Sequence, residues 1–96
     1  MPKFPNAMIV CKRVCYSGRV QGVGFRYTAQ SLAQGFAVAG HVRNLSNGDV
    51  ELVVEGEEAE VQGFLNAVSG RMGHHIREIR IEELQPMELH GFHVRF

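Results

Sequence analysis

The apolar residues of this chain switch between two spacings, and the order of the switches limits what it can fold into. Phe25, Ala29, Leu32, Ala33 and Phe36 recur at i, i+4, i+7, i+8 and i+11, the stripe of an amphipathic helix. Val61, Phe64, Leu65 and Val68 form a second such stripe. Extended-chain patterns flank both. Ile9 to Ser17 is rich in β-branched and aromatic residues and reads as a strand, as does Ala37 to Leu45. Asp49 to Glu55 alternates, with Val50, Leu52 and Val54 on one face and Asp49, Glu51 and Glu55 on the other. That is the pattern of a half-buried antiparallel strand. Ile76 to Leu84 alternates again, and Phe92, Val94 and Phe96 alternate in a short last strand.

The punctuation agrees. Gly18, Gly22 and Gly24 break the first strand, and Gly35 reads as a stop for the first helix. Asn47-Gly48 is a strong hairpin signal. Glu57 and Glu58 open the second helix, where negative charge suits the dipole. Gly63 inside it costs ~1 kcal/mol against Ala. Gly70 and Gly73 read as its end, and Pro86 breaks the strand that follows. The order is β-α-β-β-α-β with an extra C-terminal strand, the ferredoxin-like split βαβ pattern. It predicts an α+β sandwich with two helices on one face of an antiparallel sheet. Residues 9–96 form one domain in this reading, and residues 1–8, with Pro2 and Pro5, a flexible N-terminal leader. A fold shared by so many activities leaves function to the site.

Composition narrows the partners. With 45% hydrophobic residues, a 96-residue chain can build a core without metals or disulfides. Lys plus Arg total 10 and Asp plus Glu total 10, whereas a domain built to grip nucleic acid is strongly basic. No apolar run approaches the ~20 residues that span a bilayer. The start lacks the apolar region of a signal peptide. A cytoplasmic monomer with no nucleic-acid or membrane partner is expected. Cys11 and Cys15, on one strand, lie about 13 Å apart, beyond the ~7 Å a disulfide tolerates. They read as free packing thiols in a reducing compartment. His41, His74, His75, His90 and His93 do not pair with the cysteines at ligand spacing, so no metal site is expected. His74-His75 reads as a solvated loop, Arg19 and Arg43 as solvated strand-end charges, and Arg77, Glu78, Arg80 and Glu82 as exposed cross-strand charges. Phe92, Val94 and Phe96 read as core.

One loop carries the chemistry. In a split βαβ unit the first two strands run parallel, so their carboxyl ends meet at one edge of the sheet. The loop Gly18-Arg19-Val20-Gln21-Gly22-Val23-Gly24-Phe25-Arg26 should therefore neighbour Arg43 and Asn44. Ligands commonly bind at strand carboxyl ends in α/β sheets. Three glycines let the backbone turn its N–H groups inward, and the loop runs into a helix N-terminus. Together these make an anion cradle suited to phosphate. Arg26, in the first helical turn, can fork two phosphate oxygens. The signatures G-x-x-x-x-G-K-[ST] and G-x-G-x-x-G both fail here. Cys15 sits too early for a cysteine phosphatase, whose thiolate opens the cradle. On spacing alone, a glycine-rich turn that only lets the helix pack on the sheet reads equally well.

GRVQGVGFR closely resembles the signature of the acylphosphatase family, and GHVRNLSNGDVE, at Gly40 to Glu51, resembles its second signature. Phe92-His93-Val94-Arg95-Phe96 resembles the family's terminal strand. The likeness spans about Met8 to Phe96. One departure is His41, where the family often has an aromatic, typically Trp. It bears on packing or on the rim of the site. The resemblance implies a small cytoplasmic hydrolase of acyl phosphates, working without metal or cofactor and releasing carboxylate and inorganic phosphate. Arg26 matches the family's phosphate-binding arginine, and Asn44 its water-positioning asparagine. Backbone N–H groups of Val20, Gln21, Gly22, Val23 and Gly24 would hold the remaining phosphate oxygens.

Two other classes fit parts of the pattern. RNA-recognition domains share the element order, and Gln21-Gly22-Val23-Gly24-Phe25 mimics part of their signature. It falls in the wrong loop, and the acidic third strand lacks the aromatic platform that RNA stacking needs. A regulatory module could use the same cradle to bind an anion without hydrolysing it.

Overall fold

The computed structural model describes residues 8–96. Strand β1 spans Ile9–Gly18, helix α1 Phe25–Ala33, β2 Val38–Asn44, β3 Val50–Glu57, α2 Glu58–Met72, β4 Ile76–Leu84 and β5 Phe92–Arg95. The sheet order is β4-β1-β3-β2-β5. β3 is antiparallel to both β1 and β2, which makes those two parallel, as the split βαβ reading requires. One pair departs from an all-antiparallel sheet: β5 runs parallel to β2, pairing Gly40 with Phe92 and Arg43 with Arg95. The sheet is mixed because the segment after β4 crosses to the far edge before β5 begins.

The helices cover one face. Val14 and Tyr16 of β1, Val42 of β2, and Val50, Leu52 and Val54 of β3 point into a core closed by Phe25, Ala29, Ala33, Val61, Phe64 and Val68. Burying such side chains contributes ~1.5–3 kcal/mol each. Gly63 has a packing reason for its propensity cost: a Cβ there would lie 2.8 Å from the Phe36 ring. Gly70 stays inside α2, which continues to Met72 before a short 3-10 turn at Gly73–His75. Gly35 is not a left-handed stop. α1 closes instead on tight bonds from Gln34 and Gly35 N–H to the Ser31 and Leu32 carbonyls.

β3 is not half-solvated. As the central strand it is buried on both faces, with Glu51 4% and Glu55 6% exposed. Glu51 bridges Arg13 Nε at 2.5 Å and Arg43 Nε at 2.6 Å, so Arg43 is a paired charge rather than a free one. Glu55 accepts backbone N–H bonds from Met87, Glu88 and Leu89 at 2.6–3.2 Å and so anchors the crossing segment. Asp49 pairs with Arg80 at 3.2 Å. β4, at the edge beyond the helices, is largely exposed, with Ile81 at 55%. Cys11 and Cys15 are buried free thiols. The proposed leader lies outside the described residues up to residue 7, and the Met8 carbonyl accepts Glu58 N–H at 3.0 Å.

Candidate active site

The β1–α1 loop is shaped by its glycines. Gly22 and Gly24 adopt φ of 78° and 79°, and nothing lies within 4 Å of where their Cβ atoms would be. Conformation rather than crowding calls for glycine there; an L residue in this region costs ~1–2 kcal/mol. Arg19 N–H is tied to the His75 carbonyl at 2.9 Å, and Thr28 N–H makes the first bond of α1, to Gly24, at 3.0 Å. Among the described residues, the amides of 20–27 between these ties donate to no backbone acceptor. Gly24 caps the helix without any side-chain bond, and no acidic residue occupies the first turn. The loop therefore offers N–H groups and a positive dipole end to an anion.

Three contacts assemble the rest. Gln21 Nε2 donates to the carbonyls of Leu45 and Asp49, both at 2.8 Å, and so clamps the loop to the β2–β3 turn. Asn44, half-buried, ends β2 on the same face as the core residue Val42. Arg26, also half-buried, donates from Nη1 to the Arg95 carbonyl at 2.9 Å, with its guanidinium 4.6 Å from the Phe96 ring. The β2–β5 register ends at Arg43 and Arg95, one residue short of Asn44 and Phe96. Val20, Gly22, Gly24, Arg26, Tyr27 and Asn44 line one cavity of about 160 Å³.

Arg26, Asn44 and the loop thus meet where the parallel strands end. Of the five loop positions expected to hold phosphate, Val20, Gly22 and Gly24 line the cavity, and Gln21 and Val23 do not. Gln21 contributes its side chain as a clamp, a role the sequence reading missed because no local pattern marks a contact 24 residues away. Phe96, expected in the core, is instead 90% exposed, with the Arg26 guanidinium over its ring. His41 is not on the rim. It points to the open face of the sheet, paired in register with His93 and Val53. There, burial first, then the Arg95 and Arg43 charges lower its pKa. Glu51 lies on that face too. Burial pushes its pKa up, and the bonds from Arg43 and Arg13 reverse this, leaving it below the ordinary carboxylate range.

A small α+β sandwich that brings backbone amides without a backbone acceptor, a helix N-terminus and an arginine to one cavity can hold a small anion such as a phosphoryl group. Its relatives narrow that class. A sequence model of the acylphosphatase family matches residues 12–94. An acylphosphatase of Methanothrix thermoacetophila is 43% identical over 79 residues, covering 81% of this chain and 88% of that protein. The crystal structure of acylphosphatase from Bacillus subtilis superposes with a TM-score of 0.81 at 35% identity, covering 93% of this chain and all of that one. An acylphosphatase structure from Coxiella burnetii gives 0.79 at 32%, over 91% and 93% of the two chains. The chain belongs to the acylphosphatase family. Its activity is that of a hydrolase acting on acid anhydrides: an acyl phosphate is cleaved to a carboxylate and inorganic phosphate. β3, the strand that would carry the aromatic platform of an RNA-recognition domain, has no aromatic residue.

Proposed function

We propose that Arg26 and the backbone amides of Val20 to Gly24 hold the transferring phosphoryl group while Asn44 orients the attacking water. One observation carries this: Arg26, Asn44 and the loop share a cavity of about 160 Å³. The Asn44 amide is too weak a base to take the proton, but it can both donate to and accept from one water. That water's oxygen bonds to phosphorus as the bond from phosphorus to the carboxylate oxygen breaks. The electron pair leaves with the carboxylate, and both water protons finish on the phosphate oxygens, giving dihydrogen phosphate that then ionises in solvent. A carboxylate leaves as a stable anion, so it needs no general acid. Positioning and charge stabilisation then supply the rate. Arg26 and the amides stabilise charge on the equatorial oxygens.

The same reading takes residues 9–96 as one catalytic domain, acting as a cytoplasmic monomer on a small-molecule substrate without metal, nucleic acid or membrane. Balanced charge supports it. Among the described residues no helix is long and apolar enough to cross a membrane. Phosphate release from acetyl phosphate in excess EDTA tests the reaction. Turnover should persist, and phosphate monoesters should react far more slowly because their alkoxide leaving group needs a proton. Activity lost to the chelator and restored by a divalent ion would overturn the metal-free route. Binding without turnover would favour an anion-sensing module.

A further inference from the structure

Asp49 joins the two halves of the proposed site. Its backbone carbonyl accepts Gln21 Nε2 and the Leu45 N–H, both at 2.8 Å. The phosphate loop and the amide that follows Asn44 thus meet on one oxygen. The Asp49 N–H donates to Asn47 Oδ1 at 3.0 Å, within the same turn. One side-chain bond leaves this cluster: Asp49 Oδ2 accepts Nη2 of Arg80, on the edge strand β4, at 3.2 Å. The sheet explains the reach. β1 lies between β4 and β3, and its residue in register with Arg80 is Cys15, which also faces Glu51 of β3. A short side chain there lets the guanidinium pass over β1 to the residue just before β3 begins. Cys15, Asp49 and Arg80 line one pocket with Leu45 and Asn47 of the hairpin. Asp49 is 9% exposed, so its charge is largely kept from water and calls for a partner. Among the described residues Arg80 is the one cation paired with it.

We infer that Arg80 is a positioning residue: through Asp49 it holds the β2–β3 hairpin at the spacing from the phosphate loop that turnover requires. The inference rests on the roles proposed above for Asn44 and the loop. Arg80 touches neither the substrate nor the attacking water. Its effect therefore falls on kcat, through Asn44, and leaves phosphate affinity to Arg26 and the loop amides. The size is modest, because Arg80 is exposed and water and salt screen the pair.

Steady-state kinetics with acetyl phosphate, in the full chain and per folded protein, test this. Arg80→Gln should lower kcat about three-fold, the scale of an exposed ion pair, with inhibition by inorganic phosphate unchanged. Arg80→Lys, which keeps the charge, should recover most of the rate. Asp49→Asn removes the other charge and keeps the carbonyl, so it should match Arg80→Gln. The double variant should be no slower than either single one, since all three remove the same contact. Glu83→Gln breaks another pair of β4, with Lys12 at 3.3 Å on the other face of the sheet, and should leave kcat at the wild-type value. Wild-type kcat in Arg80→Gln, no recovery in Arg80→Lys, multiplied losses in the double variant, or an equal loss in Glu83→Gln would overturn the positioning role alone, where Asn44→Ala still slows turnover. Normal turnover in Asn44→Ala would overturn the water assignment and the positioning role with it.

Discussion

Arg26 Nη1 donates to the backbone carbonyl of Arg95 at 2.9 Å, so the arginine proposed to hold phosphate is tied to the end of β5. A guanidinium has five N–H donors, and this bond uses one. The Phe96 ring, 4.6 Å away, supports its plane. Among the described residues no carboxylate pairs with Arg26, so its charge is left for a ligand, whereas Arg13, Arg43 and Arg80 are spent on Glu51, Glu82, Asp49 and Glu78.

Arg26→Lys keeps the charge and loses the planar fork. Charged hydrogen bonds contribute about 1.5–3 kcal/mol each. Losing one of them should lower kcat/KM about 10- to 100-fold and weaken competitive inhibition by inorganic phosphate. Inhibition constants measured beside steady-state rates check this. Near-full activity with intact phosphate affinity would remove Arg26 from the phosphate site.

Gln21 predicts a different outcome. Its Nε2 is the shared donor to Leu45 and Asp49, so Gln21→Ala loosens the loop from the hairpin without touching the amides that face the cavity. We expect a loss of ~1–2 kcal/mol in stability. The fall in kcat should exceed any change in phosphate inhibition, because the clamp sets the spacing between loop and Asn44. Gln21→Glu should be worse than Gln21→Ala, since a carboxylate would face two carbonyl oxygens. Thermal melts and a KM-against-kcat comparison decide it; a Glu variant as stable as wild type would contradict the clamp.

Acid stability follows from Glu55. Burial alone would raise its pKa; the N–H bonds from Leu89, Met87 and Glu88 outweigh this and leave it lowered. A carboxylate whose folded pKa lies below its unfolded one stabilises above the unfolded value and loses that contribution as pH falls through the folded one. Wild-type stability should therefore hold from neutrality to about pH 4.5 and decline below it, with Glu51 adding to the same limb. Glu55→Gln should cost about 2 kcal/mol at neutral pH and flatten the acid limb. Melting temperatures from pH 7 to pH 3 test this. A Gln variant with the wild-type acid slope would exclude Glu55 as a source of it.

The fold was legible because periodicity is local. The stripes of α1 and α2 and the alternation of β3 each sit within a dozen residues, and Asn47-Gly48 marked the hairpin between β2 and β3. What sheet position decides was hidden. Alternation in β3 implied a wet acidic face, yet the strand is central, and Arg13, Arg43 and the segment after Pro86 cover Glu51 and Glu55. The parallel pairing of β5 depends on where a crossing segment lands, which no local pattern records. At the site, two signatures brought Arg26, Asn44 and the loop to one edge. The Gln21 clamp and the tie of Arg26 to Arg95 depend on contacts across 24 and 69 residues, so only the folded chain reveals them.

Asn44 carries the sharpest prediction, because two roles are open to an asparagine at the end of a strand. It can start a turn through its side chain, or it can hold a water. The turn already has its own residue: Asn47 Oδ1 accepts Asp49 N–H at 3.0 Å, and Gly48, with φ of 97°, completes the bend with its N–H on the Leu45 carbonyl at 3.2 Å. Asn44 is thereby free of turn duty and lines the cavity with Arg26. Positioning a water matters chiefly in the transition state. Asn44→Ala should therefore lower kcat by something like 10²–10³-fold, the loss seen when one positioned polar group is removed. Inhibition by phosphate should stay close to wild type, since Arg26 and the loop amides supply it. The melting temperature should also hold. Asn44→Asp separates geometry from charge: it keeps the shape and places an anion beside an anionic substrate, so substrate affinity should fall along with kcat. An Ala variant that loses stability while its folded fraction turns over normally would return Asn44 to the turn and leave the water unassigned.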